Sequence, residues 1–209
     1  MTPPPPAPTT VLAALLTRRW DELRAQHPSL PRADITVSSR RQAGSDHSHT
    51  QWHGQDLFPV TIYRSMLETG AEEVLTALTH TAAHALAAAD GVSDTSSRGS
   101  YHNRAFVAYA EKVGMEWPAE AAPVPNYGFR GMRIPTAQLT QDSALLAELG
   151  RAIEAVLDVL GPASAPSRRA ETRVRAMCGC GRMMTMWEAV FAQGDVLCGR
   201  CGTPFTRQS

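Results

Sequence analysis

The sequence predicts an α+β fold with one domain of ordinary size and a small C-terminal module. Helical periodicity dominates the chain, only two short β-branched runs interrupt it, and four cysteines stand in two close pairs near the C-terminus. At 209 residues and 43% hydrophobic content, the chain can bury one core. We expect residues 1–10 to be a disordered Pro-rich tail, 11–117 the first domain, 118–167 a connecting segment with a helix, and 168–209 the module.

The beginning of the first domain is predicted to hold one helix and two strands. Residues 11–26 repeat apolar side chains at helical spacing, and Pro28 ends the pattern. Residues 35–39 and 58–63 are β-branched and apolar, which predicts strands. Pro59 places the second strand at an edge or a strand start, because proline cannot donate to a ladder. The apolar helix positions are Leu12, Leu15, Leu16, Trp20 and Leu23.

A histidine-rich segment separates the two predicted strands. His47, His49 and His53 lie close together, and His47 and His49 would share a face if the chain were extended. No acid or cysteine completes a ligand set at defined spacing. We therefore favour a polar hairpin loop over a metal site in this segment.

Two histidines four residues apart mark the helix around which the domain is organised. His80 and His84 fall in an alanine-rich run with strong helix propensity. Residues four apart lie one turn above each other, so the two imidazoles can share one ion. Two hydrogen-bonded histidines without metal are the alternative for the pair alone. The other side of this helix is predicted to be buried through Val74, Leu78, Ala82, Ala85 and Ala89.

A third histidine, His102, is predicted to open the next helix. Apolar residues recur after it at helical spacing, which places His102 in the first turn and Ser100 near the N-cap. Three histidines leave a fourth tetrahedral position for water, as in catalytic zinc sites. The sequence therefore predicts one zinc ion bound by His80, His84 and His102. The apolar helix positions are Phe106, Val107, Ala110 and Val113.

The block from His80 to Phe106 resembles the SprT-like zinc metalloproteases, especially actinobacterial and phage members that also end in a zinc ribbon. The HxxxH pair, the DTSSRG loop and the YHN triplet carry the resemblance, which extends from about Trp20 to the C-terminus. It implies a small zincin-like domain over residues 11–117, with the active-site helix beside a short sheet. An edge strand of that sheet could hold an extended peptide or protein substrate by backbone pairing.

Thr81 departs from the family pattern at the residue that hydrolysis needs. The pattern is H-E-x-x-H, and its glutamate takes a proton from zinc-bound water. A threonine hydroxyl is not a base at neutral pH. Glu73, Asp90 and Asp94 are poor replacements by position, although Asp94 suits the support of a ligand histidine. We expect an intact metal site with slow or absent peptide hydrolysis, that is, a pseudoenzyme. The alternatives are a peptidase with an unorthodox base and a non-catalytic zinc-dependent DNA- or protein-binding protein.

The segment after the first domain is expected to connect it to a long helix. Residues 118–135 are rich in proline and could lie along the cleft. Residues 136–160 predict one helix with a broad apolar stripe, and 161–167 predict a linker. The candidate packing anchors of the connecting segment are Tyr127, Phe129 and Met132. The stripe comprises Leu139, Leu145, Leu146, Leu149, Ile153, Val156, Leu157 and Leu160.

Four cysteines organise the terminal module. They form a C-x-C and a C-x-x-C pair separated by seventeen residues. Such pairs are typical of a zinc ribbon, and a redox dithiol is the alternative. A module this small cannot build a sufficient core, so the metal would supply its folding free energy. The predicted ligands of this second zinc ion are Cys178, Cys180, Cys198 and Cys201.

Charge and composition set the expected partners and compartment. The module carries seven arginines against three acidic residues, whereas the whole chain is neutral. This excess suits phosphate contacts, so we consider DNA a candidate partner beside a protein-binding ribbon. Eukaryotic SprT-like proteins cleave proteins crosslinked to DNA, and the resemblance therefore implies a DNA-associated role for this chain. No apolar run approaches the roughly 20 residues of a membrane span, and the N-terminus lacks signal-peptide features. We therefore expect a cytoplasmic protein without membrane contact.

Overall fold

The structure is a computed structural model in which the chain forms two compact units, Met1–Pro162 and Ala163–Ser209. It describes residues 5–39, 52, 57–97, 99–161 and 173–208. Helices and short sheets occur together in the chain, which confirms the α+β class. The first unit extends well beyond residue 117, because a long helix near its end packs into its core. Most of the expected connecting segment therefore belongs to the first unit.

The described part of the first unit contains six helices and four strands. In chain order they are α1 (Pro8–Gln26), β1 (Arg32–Ser38), β2 (Leu57–Tyr63), α2 (Arg64–Leu67), α3 (Ala71–Ala89), β3 (Thr95–Ser96), β4 (Tyr101–His102), α4 (Arg104–Lys112), α5 (Thr136–Gln141) and α6 (Ser143–Leu160). In the regions that the structure describes, no helix combines the length and the apolar character that a membrane span requires.

Helix α1 begins earlier than the sequence indicated. It starts at Pro8, so the last residues of the expected disordered tail are helical. Proline is favoured in the first helical turn, because its fixed φ suits the helix and its missing N–H would have no partner there. The predicted apolar face is buried, and Trp20 also donates from Nε1 to the carbonyl of Pro31 at 2.8 Å. The chain therefore turns tightly from α1 into β1.

Strands β1 and β2 pair in parallel, in a register that runs from Arg32 opposite Leu57 to Ser38 opposite Tyr63. Parallel neighbours need a crossover connection, so the expected hairpin between them is wrong. His47, His49 and His53 lie outside the described residues. Pro59 is compatible with this sheet, because each strand of a two-stranded sheet has an edge. The core face of β2 consists of Phe58, Val60 and Ile62.

Helix α3 lies at the centre of the first unit and contacts α1, α4, α6 and β2. The predicted apolar stripe is buried except for Ala89, which is exposed at the helix end. Burial extends further round the helix than the stripe, to Ala83, Leu86 and Ala87. Alanine side chains end at Cβ, which lets neighbouring helices pack close to α3. The side of α3 that carries His80 lines a cleft.

Two helices, α5 and α6, replace the single helix expected over residues 136–160. The break falls at Asp142, whose carboxylate accepts from Arg19 of α1 at 3.3 Å. Helix α6 then buries the centre of the predicted stripe against α1 and α3. The buried residues of α6 are Leu149, Ala152, Ile153 and Val156.

The second unit is a small antiparallel sheet with one short helix. Its elements are β5 (Arg173–Met177), β6 (Met183–Trp187), α7 (Glu188–Phe191) and β7 (Thr206–Arg207), with strand order β6-β5-β7. Its described hydrophobic side chains that are buried are few, namely Val174, Ala176, Cys178 and Cys198. So small a core leaves most of the folding free energy to other interactions.

Candidate metal centres

The imidazoles of His80, His84 and His102 meet at one point of the first unit. Nε2 of His84 lies 3.1 Å from Nε2 of His80 and 3.2 Å from Nε2 of His102. The third side of this triangle, between His80 and His102, measures 3.1 Å. The structure therefore brings together all three predicted ligands, from adjacent turns of α3 and from β4. We call this group the His₃ centre.

His102 is placed by a strand and not by the first turn of a helix, which corrects the sequence expectation. It belongs to β4, which pairs antiparallel with β3. The cap of α4 is Asn103 and not Ser100: Oδ1 of Asn103 accepts from the amides of Ala105 at 2.7 Å and Phe106 at 3.3 Å. Asparagine is at least as good an N-cap as serine, so the motif allowed both registers.

Asp94 orients one histidine of the His₃ centre. Its Oδ2 lies 2.5 Å from Nδ1 of His84, and both side chains are buried. Since an ionised carboxylate only accepts hydrogen bonds, Nδ1 of His84 carries the proton and donates. The lone pair of Nε2 then points at the other two histidines. This is the supporting role that the sequence indicated for Asp94.

A tetrahedral zinc ion fits the spacing of the three nitrogens. With zinc about 2.0–2.1 Å from each nitrogen, neighbouring nitrogens would be about 3.3 Å apart. The observed separations of 3.1–3.2 Å are close to this value. Burial lowers the pKa of His102, although a backbone hydrogen bond with Tyr127 opposes the shift. The neutral imidazole is the form that binds a metal, so the protein holds His102 ready as a ligand.

The side chain of Phe106 forms the floor of the His₃ centre. Its ring centroid lies 4.6 Å from those of His80 and His102, and 4.7 Å from that of His84. Phe106 is fully buried in the first turn of α4. The three imidazoles therefore rest on one rigid apolar surface, which restricts their rotation.

A cleft of about 640 Å³ opens beside the His₃ centre. One wall is β2, another is the outer side of α3, and the third is the chain from Arg130 to Ile134. The expectation that the segment after Trp117 lies along the cleft is thus confirmed. Of its candidate anchors, Met132 is buried and Phe129 packs on Trp117 with ring centroids 5.1 Å apart. The side chain of Tyr127 is exposed instead.

Thr81 lines the same cleft, but its hydroxyl proton is engaged in a hydrogen bond within α3. Oγ1 donates to the carbonyl of Ala77 at 2.8 Å, so the hydroxyl offers only acceptor capacity to the cleft. Asp90 accepts from the Tyr109 hydroxyl at 2.9 Å. Asp94 lies behind His84, on the side away from Nε2. Glu73 lines the cleft about two turns, or roughly 10 Å, nearer the start of α3.

The backbone around His102 involves a residue that the sequence did not single out, Gly128. The amide of His102 donates to the carbonyl of Tyr127 at 3.1 Å, and the amide of Phe129 donates to the carbonyl of His102 at 3.0 Å. Gly128 sits between them with φ +60°, where a Cβ would collide with the carbonyl oxygen of His102. Gly128 follows Asn126 and Tyr127, and a short run with Asn and Gly is typical of a turn. This turn sequence is the signal by which Gly128 can be recognised.

The four cysteines of the second unit also come together. Sγ of Cys180 lies 3.3 Å from Sγ of Cys178 and 3.9 Å from Sγ of Cys198, and all four ligand atoms lie within 4.8 Å of one another. No disulfide joins them. A tetrahedral zinc ion about 2.3 Å from each sulfur would separate the sulfurs by about 3.8 Å. The group can therefore hold one metal ion, and zinc suits its ligand set; we call it the Cys₄ centre.

Local hydrogen bonds prepare one thiol of the Cys₄ centre for metal binding. The hydroxyl of Thr203 lies 3.0 Å from Sγ of Cys201 and lowers the pKa of that thiol to about 6. A hydrogen bond with the thiol of Cys178 raises the pKa of Cys180 to about 12. The protein without metal thus carries both a ready thiolate and a thiol that must lose its proton when metal binds.

Comparison of the chain with protein-family models, curated proteins and solved structures gives no match. The functional assignment therefore rests on the two centres and the cleft.

Proposed function

We propose that the chain is a zinc-binding protein of the SprT-like metallopeptidase type, in which hydrolysis is slow or absent. The observation that supports this is the convergence of three histidine Nε2 atoms within 3.1–3.2 Å of one another, at the side of an open cleft. Two of the histidines come from adjacent turns of one helix and the third from a nearby strand. Three protein ligands leave one tetrahedral position for a ligand.

The protein's own groups would hold the ion and the peptide. His80, His84 and His102 would bind zinc, and Asp94 would keep His84 in the correct tautomer. Bound zinc supplies a Lewis acid and lowers the pKa of its water to about 7. Among the described residues, β2 pairs with no strand besides β1, and Val60, Thr61 and Ile62 of β2 line the cleft. An extended peptide can add there by backbone hydrogen bonds.

The missing base decides how fast such a site can hydrolyse. General acid–base catalysis contributes roughly 10²–10⁴-fold, and Thr81 cannot provide it because its hydroxyl is not basic and donates to Ala77. The same hydrogen bond favours a second candidate function, in which the cleft binds a peptide without cleaving it. Both candidates need the same zinc site and differ only in turnover.

Cleavage of an unfolded protein by the zinc-loaded full chain tests this proposal. We expect product formation to be slow or undetectable, and any activity should disappear in His84→Ala. Rapid cleavage that depends on His84 would contradict the assigned role of Thr81 and point to another base. Glu73→Gln would then show whether the carboxylate of Glu73, which lines the cleft about two turns from His80 along α3, supplies it.

For the second unit, we propose a zinc ribbon whose ion is structural and whose sheet face contacts nucleic acid. Arg173 and Arg175 are exposed on β5, opposite Trp187 and Thr185 of β6. The guanidinium of Arg173 lies 4.4 Å from the Trp187 ring centroid. Cations beside an exposed aromatic ring are typical of single-strand binding surfaces.

Fluorescence anisotropy with a labelled oligothymidine tests the nucleic-acid contact. We expect binding that weakens with salt and weakens further in Arg175→Gln. Arg151→Gln, on α6 of the first unit, removes an exposed arginine elsewhere and serves as the control. Equal affinity of the two variants would argue for a protein partner at this sheet.

A further inference from the structure

Arg130 is a charged residue of the cleft that belongs to neither the His₃ centre nor the Cys₄ centre. It lines the cleft together with all three histidines of the His₃ centre. Arg130 is exposed, so it can meet a ligand that enters from solvent.

The loop that carries Arg130 is fixed to the backbone of a metal ligand. The carbonyl of Tyr127 and the amide of Phe129 both hydrogen-bond with His102. Phe129 is held in turn between the Trp117 ring and the guanidinium of Arg104, whose Cζ lies 5.9 Å from its centroid. Arg130 follows Phe129 directly, so its backbone position is set relative to the His₃ centre and does not depend on a ligand.

The charge of Arg130 is not neutralised by the part of the chain that the structure describes. Its Cζ lies 5.6 Å from the centroid of the Tyr127 ring, and its guanidinium makes no ion pair with the described residues. Arg133 differs, although it lines the same cleft: its Nε lies 3.5 Å from Oε1 of Glu116. Arg130 is therefore the cation of this wall that remains available to a ligand.

Thr81 makes the surroundings of the His₃ centre more positive than an H-E-x-x-H motif would. A glutamate at this position would place a carboxylate beside the ion, whereas threonine is neutral. The carboxylate of Asp94, which is hydrogen-bonded to the centre, is buried behind His84. A divalent ion held by the three histidines would thus face the cleft together with Arg130, and such a pair would attract an anion.

We propose that Arg130 and the metal of the His₃ centre together bind a carboxylate of a peptide ligand. This inference rests on the proposed function, since it needs a metal with one open position. A carboxylate has two oxygens, and it can therefore meet the metal and the guanidinium at the same time. Glu72 and Glu73 also line the cleft, about two turns nearer the start of α3 than His80, so acidic side chains lie away from the His₃ centre. A peptide would accordingly bind in one direction, with its carboxylate at Arg130.

Calorimetric titration of the zinc-loaded full chain tests the proposal with three probes. They are acetyl-trialanine with a free C-terminal carboxylate, the same peptide as its C-terminal amide, and an acetyl-Ala-Asp-Ala amide that carries only a side-chain carboxylate. We expect the parent to bind the free acid about tenfold more tightly than the amide, because charge-assisted hydrogen bonds are the strong ones. The aspartyl peptide shows whether a side-chain carboxylate serves equally well.

Two variants isolate Arg130 in this experiment. Arg130→Gln should remove the preference for the acid, and Arg133→Gln should keep it, because Arg133 is already paired with Glu116. Zinc content is measured on every sample. Full zinc content with an unchanged preference in Arg130→Gln, or no preference in the parent, would overturn the inference and leave the zinc assignment standing. A parent without zinc at the His₃ centre would overturn both.

Discussion

Nδ1 of His84 lies 2.5 Å from Oδ2 of Asp94, and this bond determines which nitrogen of the central histidine faces the cleft. The two residues are ten positions apart and come from α3 and from the loop before β3. The backbone of Asp94 contributes as well, since its carbonyl accepts from the amide of Asn103 at 3.0 Å, next to His102. One residue thus links the helix and the strand that supply the three histidines of the His₃ centre.

Asp94→Asn should therefore weaken zinc binding at the His₃ centre by about 10–100-fold, the usual effect of removing a carboxylate behind a ligand histidine. Competition with a fluorescent chelator measures this affinity. Asp90→Asn is the matched control, because Asp90 lies near the same loop and bonds Tyr109 instead of a ligand. Equal affinities of the two variants would show that Asp94 does not orient His84.

Thr81→Glu should create or raise peptidase activity on an unfolded protein. The ligands, the cleft and Asp94 are already in place, so the gain is limited to the general-base contribution of roughly 10²–10⁴-fold. The gained activity should vanish when His84→Ala is combined with Thr81→Glu. If the parent is active and Thr81→Glu leaves its rate unchanged or lowers it, the conclusion that position 81 lacks the general base is contradicted.

Gly128→Ala should destabilise the first unit by about 1–3 kcal/mol or more, the cost of a left-handed backbone at a non-glycine residue. The added Cβ would also push against the carbonyl oxygen of His102. Urea unfolding of the zinc-loaded protein measures the change. Gly150→Ala is the control: it lies in α6 with open space around its Cβ, and it should be neutral or stabilising. Similar destabilisation by both changes would contradict the role given to Gly128.

Removal of zinc should unfold the second unit and leave the first unit mostly helical. The described residues of the second unit bury few side chains, so we expect a metal at the Cys₄ centre to supply much of its folding free energy. Amide exchange across β5 and β6 should become fast after chelation, whereas α6 should stay protected. Unchanged protection of β5 and β6 would show that the small core is sufficient without metal.

The sequence predicted the parts of both centres that local spacing determines. His80 and His84 share a helix face through a four-residue spacing, and the cysteine pairs each close on a short turn. The apolar positions of α1, α3 and α6 were identified by period in the same way. Such patterns depend on neighbours in the chain, and the sequence displays them directly.

Features that depend on distant partners were missed or misplaced. The parallel pairing of β1 and β2 joins segments separated by an intervening stretch, and turn chemistry does not reveal it. His102 was assigned to a helix because Ser100 and Asn103 can both act as caps. The sequence does not reveal the place of Arg130 in the cleft, because that place follows from backbone hydrogen bonds of Tyr127 and Phe129 with His102.

We propose that the chain holds two independent zinc ions, one at the His₃ centre and one at the Cys₄ centre. The decisive measurement is the zinc content per chain of the purified parent, of His84→Ala and of Cys198→Ser. We expect two ions in the parent and one in each variant, with the remaining ion at the unchanged centre. A parent with fewer than two ions, or a His84→Ala variant that keeps two, would contradict it.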